Sequence, residues 1–102
     1  MITIDFGVKE YIVDQFGTKR LYDEMGKYHS YNDIPAIIWF TAVMEWYNHG
    51  ILHRDNDLPA IVGVGGHKFW YKHGLLHRDN GLPAIIYPSG RKEYWVDGIR
   101  IK

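Results

Sequence analysis

Ten residues determine how this chain is organised: His77-Arg78-Asp79-Asn80-Gly81-Leu82-Pro83-Ala84-Ile85-Ile86. The same pattern occurs earlier as His53-Arg54-Asp55-Asn56-Asp57-Leu58-Pro59-Ala60-Ile61-Val62, and a divergent copy runs from His29 to Ile38. Successive copies are 24 residues apart, which is the interval within two series, His29, His53 and His77 and Pro35, Pro59 and Pro83. A fixed period of this length indicates a repeat architecture in which each unit is one supersecondary element.

The composition predicts one small β-rich domain. The chain has 102 residues, of which 46% are hydrophobic and 16% aromatic, and aromatic rings pack well on pleated sheets. It has no cysteine, no signal-peptide pattern and no apolar run long enough to span a membrane. We therefore expect a cytoplasmic protein.

The charge balance bears on the class of partner. Twelve basic and twelve acidic residues give a net charge of zero. Proteins that bind duplex nucleic acid neutralise its phosphates with an excess of basic residues, and this chain has no such excess. We therefore do not expect duplex nucleic acid as the partner.

Each repeat is predicted to be a β-hairpin. Gly65-Gly66 and Ser89-Gly90 suit two-residue loops. Such loops would place three isoleucines opposite aromatic residues, in the pairs Ile85 with Tyr94, Ile61 with Trp70 and Ile37 with Trp46. They would also place Ile12 opposite Leu21 and Asp14 opposite Lys19. A second turn, such as Asn48-His49-Gly50, is expected to place its glycine in a left-handed bulge position.

The repeats divide the chain into one domain of stacked hairpins. We expect an all-β fold in which antiparallel hairpins form one elongated, twisted sheet. Residues 1–10 are predicted to be an N-terminal cap strand, because Ile2, Ile4 and Phe6 alternate with polar residues. The units are then 11–26 (degenerate, with one residue inserted near Asp23-Glu24-Met25), 27–50, 51–74 and 75–98, and 99–102 begin a further unit.

The repeat resembles a known family. The series Trp70-Tyr71, Gly74, His77-Arg78 and Pro83-Ala84 is similar to the MORN-like (YwqK-type) repeats of bacterial, phage and large-virus proteins. The resemblance covers about residues 11–102 and implies stacked β-hairpins. It also implies a small accessory protein of a phage or mobile element that binds and inhibits a host protein, for example a defence protein. An antitoxin-like protein that neutralises a cognate toxin is the first alternative.

The repeated histidines His29, His53 and His77 invite a metal-binding interpretation. Strands lie about 4.8 Å apart, so a three-strand step would separate successive histidines by about 14 Å, too far for one ion. We expect instead that each histidine hydrogen-bonds backbone in the neighbouring hairpin, and we predict no metal and no cofactor.

The residues after the histidines, Arg54-Asp55 and Arg78-Asp79, complete a His-Arg-Asp string found in kinase catalytic loops. No other kinase motif accompanies it. An Arg–Asp pair between repeats is the better interpretation. Because catalysis needs one site and not several copies, we predict that the chain is not an enzyme and that Pro35, Pro59, Pro83 and these residues are structural.

The second hairpin tip breaks the pattern. Trp39-Phe40-Thr41-Ala42-Val43-Met44 has lost the glycine and the two basic residues present in later tips. An exposed apolar tip indicates a protein contact, so Trp39, Phe40, Val43 and Met44 are our predicted partner-binding residues. The alternative is that the tip packs onto the N-terminal cap.

Three further possibilities stay open. The strands are apolar on both faces, so either the sheet curls on itself or a homodimer forms across a face or an edge. Trp46 and Trp70 are candidates for stacking a nucleotide in a small-ligand sponge. A structural or assembly component of a virion is the last alternative.

Overall fold

Two-residue strands of mostly β-branched, aromatic or charged residues alternate with tight turns along the chain. The computed structural model describes residues 10–102. The strands are β1 (Ile12–Val13), β2 (Lys19–Arg20), β3 (Ile37–Ile38), β4 (Met44–Glu45), β5 (Tyr47–Asn48), β6 (Ile51–Leu52), β7 (Ile61–Val62), β8 (Lys68–Phe69), β9 (Tyr71–Lys72), β10 (Leu75–Leu76), β11 (Ile85–Ile86), β12 (Lys92–Glu93), β13 (Trp95–Val96) and β14 (Ile99–Arg100). A 3-10 turn covers Val64–Gly66. The predicted cap strand over Ile2, Ile4 and Phe6 lies outside the described residues.

Eight of these strands form one antiparallel sheet in the order β1-β2-β3-β4-β7-β8-β11-β12. The hairpins are therefore stacked side by side, and the predicted all-β fold of antiparallel hairpins is confirmed. The remaining strands pair across the boundaries between successive units, as β5 with β6, β9 with β10 and β13 with β14. The resulting body measures 55 × 24 × 18 Å.

The predicted register of the hairpins is wrong by one residue. Ile85 lies opposite Glu93 and not Tyr94, because the loop has three residues and not two. Tyr87 N–H donates to the Arg91 carbonyl over 2.9 Å, and Gly90 completes the loop with a φ of 91°. The same shift places Ile61 opposite Phe69, Ile37 opposite Glu45 and Ile12 opposite Arg20. A one-residue change of register moves side chains to the other face of a sheet.

The second turn is correspondingly shorter than predicted. Lys72 pairs with Leu75, so the loop consists of His73 and Gly74 alone. Both residues have positive φ, 53° and 83°. Two successive positive φ values define the two-residue hairpin turn whose twist matches that of the flanking strands.

A third reversal returns each repeat to the sheet. In the last copy Asn80 and Gly81 have φ values of 63° and 68°, and Leu82 N–H donates to the Asp79 carbonyl. The chain then enters strand β11 through the buried Ala84. Asparagine tolerates the left-handed conformation better than most residues, which explains its place in this loop.

The core is thin and lies between the sheet and these loops. The alanines that precede β3, β7 and β11 are fully buried, and Trp46 and Trp70 are 5% and 6% exposed. Each indole Nε1–H reaches a loop carbonyl, that of Asp33 or Asp57, over 3.0 Å. The buried apolar residues are Leu21, Ala36, Ile37, Trp46, Ala60, Trp70, Ala84 and Ile85.

The first unit differs from the others in its second turn. Asp23 N–H donates to the Lys27 carbonyl across a three-residue loop, whereas the other units have two-residue loops. The predicted pairing of Asp14 with Lys19 is wrong, because Lys19 pairs with Val13. The carboxylate of Asp14 instead binds Arg20 over 2.8 Å.

Candidate functional site

The repeated arginines join neighbouring hairpins. The Arg54 guanidinium lies 3.7 Å from the ring centroid of Trp46 and contacts both carboxylate oxygens of Asp33, over 3.0 and 3.2 Å. Its remaining Nη1 donates to the Pro59 carbonyl. A planar guanidinium suits this combination of a ring face and a two-oxygen acceptor. The next copy repeats every contact with Arg78, Trp70, Asp57 and Pro83.

These contacts identify the carboxylates that bind the repeated arginines, which sequence analysis alone did not identify. The Arg–Asp pair between repeats exists, but its aspartates are Asp33 and Asp57 and not Asp55 and Asp79. Asp33 and Asp57 occupy left-handed loop positions with φ of 58° and 56°. The loop conformation of one repeat therefore places the acceptor for the arginine of the next.

The arginines also decide the accessibility of the tryptophans. One face of Trp46 is covered by Arg54 and one face of Trp70 by Arg78, and both side chains are buried. A nucleobase needs an open ring face for stacking. The predicted ligand-stacking role of Trp46 and Trp70 does not fit this arrangement.

The repeated histidines hydrogen-bond the backbone of the next turn. Nδ1 of His53 accepts the His73 N–H over 3.1 Å. The other two copies are His29 with His49 and His77 with Asp97, each over 3.0 Å. A backbone amide can only donate, so each Nδ1 carries a lone pair and the neutral ring carries its proton on Nε2.

This tautomer assigns a role to the aspartates that follow. Nε2–H of His53 donates to Asp55 over 2.8 Å, and that of His77 donates to Asp79 over 2.7 Å. Asp55 and Asp79 therefore orient the histidines of their own repeats. Within residues 10–102, no group of three His, Asp or Glu side chains is placed to hold a metal ion.

The longer turn of the first unit places Asp23 in hydrogen-bonding contact with His49. The Asp23 side chain is 2% exposed, and its Oδ2 lies 2.6 Å from Nδ1 of His49. Its Oδ1 accepts the backbone N–H groups of Met25 and Lys27. The hydrogen bond from His49 and those from the backbone lower the pKa of Asp23 to about 2.

A second histidine stacks on this pair. The ring centroids of His29 and His49 are 4.0 Å apart. Burial, and then the neighbouring His49, lower the pKa of His29 below its usual 6.5. His49 exposes 58% of its side chain. The one sequence feature that indicated the pair of Asp23 and His49 was the irregular repeat spacing near Asp23.

The four predicted contact residues of the second tip do not share one face. Trp39 N–H donates to the Val43 carbonyl, and this pair lies on the face that carries Glu45. Met44 pairs with Ile38 on the opposite face. Directly paired residues of antiparallel strands project from the same side, so the tip offers two different surfaces.

The tip nevertheless exposes one large apolar side chain. Phe40 is 67% exposed, while the Trp39 indole is held by Glu45 over 2.7 Å and lies near Arg20. Ala42 closes the loop with a φ of 77°, where Gly66 and Gly90 stand in later units. An alanine in this conformation is strained.

Two polar grooves lie between successive Arg-Asp-Asn loops. They have volumes of about 170 and 200 Å³. Small-molecule sites are usually larger than about 300 Å³ and mainly apolar. The arginines that line the grooves, Arg54 and Arg78, already contact carboxylates. The grooves give no support to a small-ligand sponge.

Comparisons with known proteins do not assign a family. In the described range, no helix is both long and apolar enough to cross a membrane. No model of a known protein family, no curated protein and no solved structure matches the chain.

Proposed function

We propose that the chain is a non-enzymatic protein-binding module and that the second hairpin tip contacts the partner. The exposure of Phe40 carries this proposal. Phe40 is 67% exposed at a strained tip, so its own hairpin leaves most of this aromatic side chain uncovered. Aromatic residues and methionine are enriched in the cores of protein interfaces.

The division between repeated and divergent residues supports this reading. The repeated histidines, arginines and aspartates bond to one another or to the backbone within the fold. The polar groups of these repeated residues therefore already have partners within the fold. Phe40 and Met44 occur in one copy only, and neither makes a polar contact through its side chain. The resemblance noted above favours a host protein that the chain inhibits, and a cognate toxin is the alternative partner.

Capture from the native host cell tests the proposal. Wild type and Phe40→Asp are immobilised, and bound proteins are quantified by mass spectrometry. Phe16→Asp is the matched control, because Phe16 is 69% exposed at the neighbouring tip. We expect one stoichiometric protein that wild type and Phe16→Asp retain and Phe40→Asp loses. Equal capture by all three chains, or no stoichiometric protein, would contradict the proposal.

The same variants distinguish self-association from binding to a different protein. If a second copy covers the tip, sedimentation of the purified chain gives a dimer that Phe40→Asp dissociates. Near-zero net charge removes one barrier to such association. A monomer at all concentrations leaves a different protein as the partner.

A further inference from the structure

One row of side chains crosses the entire eight-stranded sheet. Each member is the direct cross-strand partner of the next, so all eight project from one face. At about 4.8 Å per strand the row extends over about 34 Å. In sheet order its members are Val13, Lys19, Ile38, Met44, Val62, Lys68, Ile86 and Lys92.

This row is basic and apolar and contains no carboxylate. Lys19, Lys68 and Lys92 are exposed, and between them lie aliphatic residues and Met44. Among the described residues, none of the three lysines forms an ion pair, whereas Lys72 pairs with Asp79. These ammonium groups therefore have no carboxylate partner within residues 10–102.

The carboxylates of the strands lie on the opposite face. The neighbouring row contains Glu45 and Glu93, paired with Ile37 and Ile85. Tyr47 and Trp39 donate to Glu45, and Tyr87 and Trp95 donate to Glu93. The same opposite row contains Arg20, which pairs with Asp14, so the strand cations that lack a carboxylate partner among the described residues lie together in the lysine row.

We propose that this lysine row binds an acidic amphipathic helix of the partner protein. This proposal rests on the proposed function, because the row and the second hairpin tip share residues. Met44 belongs to both, and Phe40 is two residues after the row member Ile38. Complementary charge and alternating apolar residues are the properties that such a helix presents in a groove or on a face.

The spacing of the lysines fits a helix. Lys68 and Lys92 are two strands apart, about 10 Å, and Lys19 is four strands from Lys68, about 19 Å. A helix rises about 1.5 Å per residue, so acidic residues about 7 and 11 positions apart lie on one side at about 10 and 17 Å. The difference of about 2 Å is within the reach of a lysine side chain.

Single-stranded nucleic acid fits the row less well. Proteins that bind it stack its bases on aromatic side chains. The row contains no aromatic residue, and Ile38, Met44 and Val62 occupy the centre of it. These aliphatic residues favour a protein segment over exposed bases.

A labelled helical peptide tests the proposal by fluorescence anisotropy. The peptide has about 20 residues, with leucines on one side flanked by glutamates. A second peptide carries lysines in place of the glutamates. The row variant is K19E/K68E/K92E, and the control K27E/K72E/K102E makes the same change of net charge elsewhere. Oligo(dT) and phosphatidylserine vesicles are tested in parallel.

We expect the acidic peptide to bind wild type and the control variant, and the row variant to bind at least tenfold more weakly. Added salt should weaken the binding. The milder K19Q/K68Q/K92Q provides the same test if the glutamate variant does not fold. Equal losses in row and control variants, no binding of the peptide, or a preference of the row for oligo(dT) or vesicles would overturn the proposal.

The two proposals fail in different ways. If Phe40→Asp loses the captured protein and the row variant retains it, the proposed function stands and the lysine row is not part of the contact. If no protein is captured, the proposed function fails, whereas the peptide measurement still decides the chemistry of the row.

Discussion

The guanidinium of Arg54 lies 3.7 Å from the ring centroid of Trp46, and this contact joins two consecutive units of the repeat. Its two-oxygen bond to Asp33 extends the joint to the preceding loop. At the end of the chain a looser version occurs, in which Lys102 lies 5.1 Å from the ring of Tyr94. The Trp–Arg–Asp joint is thus the unit that holds successive hairpins together.

Arg54→Lys should destabilise the fold although it preserves the charge. Lysine cannot contact both oxygens of Asp33 and the Pro59 carbonyl at once. Asp33 is half exposed, so we expect a loss of only about 1 kcal/mol in the free energy of unfolding. Urea denaturation measures it. The control Lys72→Ala breaks an exposed pair and should change stability by less than about 0.5 kcal/mol; equal losses would remove the special role of the arginine.

Ala42→Gly and Gly90→Ala should change stability in opposite directions. Both residues close a three-residue hairpin loop with positive φ, 77° and 91°. Glycine adopts this conformation without the Cβ clash, so Ala42→Gly should stabilise by about 1 kcal/mol and Gly90→Ala should destabilise by a similar amount. A Cβ at Gly90 would meet no atom within 4 Å, which makes it a clean control. Changes of the same sign in thermal unfolding would contradict the assigned loop geometry.

His53→Asn and His53→Gln should separate the two bonds of the histidine. The asparagine oxygen replaces Nδ1 as acceptor for the His73 N–H, whereas the glutamine amide occupies the position of Nε2. We expect His53→Gln to cost about 1 kcal/mol and His53→Asn less. Amide exchange at residue 73 provides the local readout, and it should accelerate about fivefold in His53→Gln only. Faster exchange in both variants would show that the acceptor is not Nδ1.

Acidification should weaken the junction of the first and second units in two steps. The pKa of His29 is lowered below 6.5 by burial and by His49, so the unfolded chain takes up this proton first. The stability contributed by neutral His29 is therefore present above about pH 6.5 and is lost as the pH falls through that value to the folded pKa. Asp23, with a pKa of about 2, loses its contribution as the pH falls from 3.8 toward 2.

Urea denaturation across this range measures both steps, and NMR titration assigns them. His29→Asn keeps an acceptor but cannot be protonated, so it should remove the first step and leave the second. An unchanged first step in His29→Asn would assign it to another group.

The repeat allowed the hairpin stack to be predicted, but not the turns within it. Gly65-Gly66 and Ser89-Gly90 have the composition of two-residue loops, yet each is part of a three-residue loop in which only the last glycine closes the turn. His73-Gly74 is the two-residue turn, because histidine accepts positive φ there. Loop length sets strand register. The error in the turn therefore became an error in which residues face Ile37 and Ile85.

The partners of repeated residues were also beyond sequence reasoning. An arginine in one repeat can reach several aspartates, and only the stacking of hairpins brings Asp33 to Arg54. The pair of Asp23 and His49 depends on one inserted residue, whose effect on the path of the turn is not encoded in a periodic pattern. The exposed Phe40, by contrast, could be found by comparing copies.

Hydrogen–deuterium exchange of the chain, alone and with the captured protein, tests most directly whether binding involves the divergent tip. We predict that the partner slows amide exchange in residues 38–44 and leaves the equivalent loop, 86–92, unchanged. Slowed exchange at 86–92 with none at 38–44 would contradict the claim that the second hairpin tip is the contact.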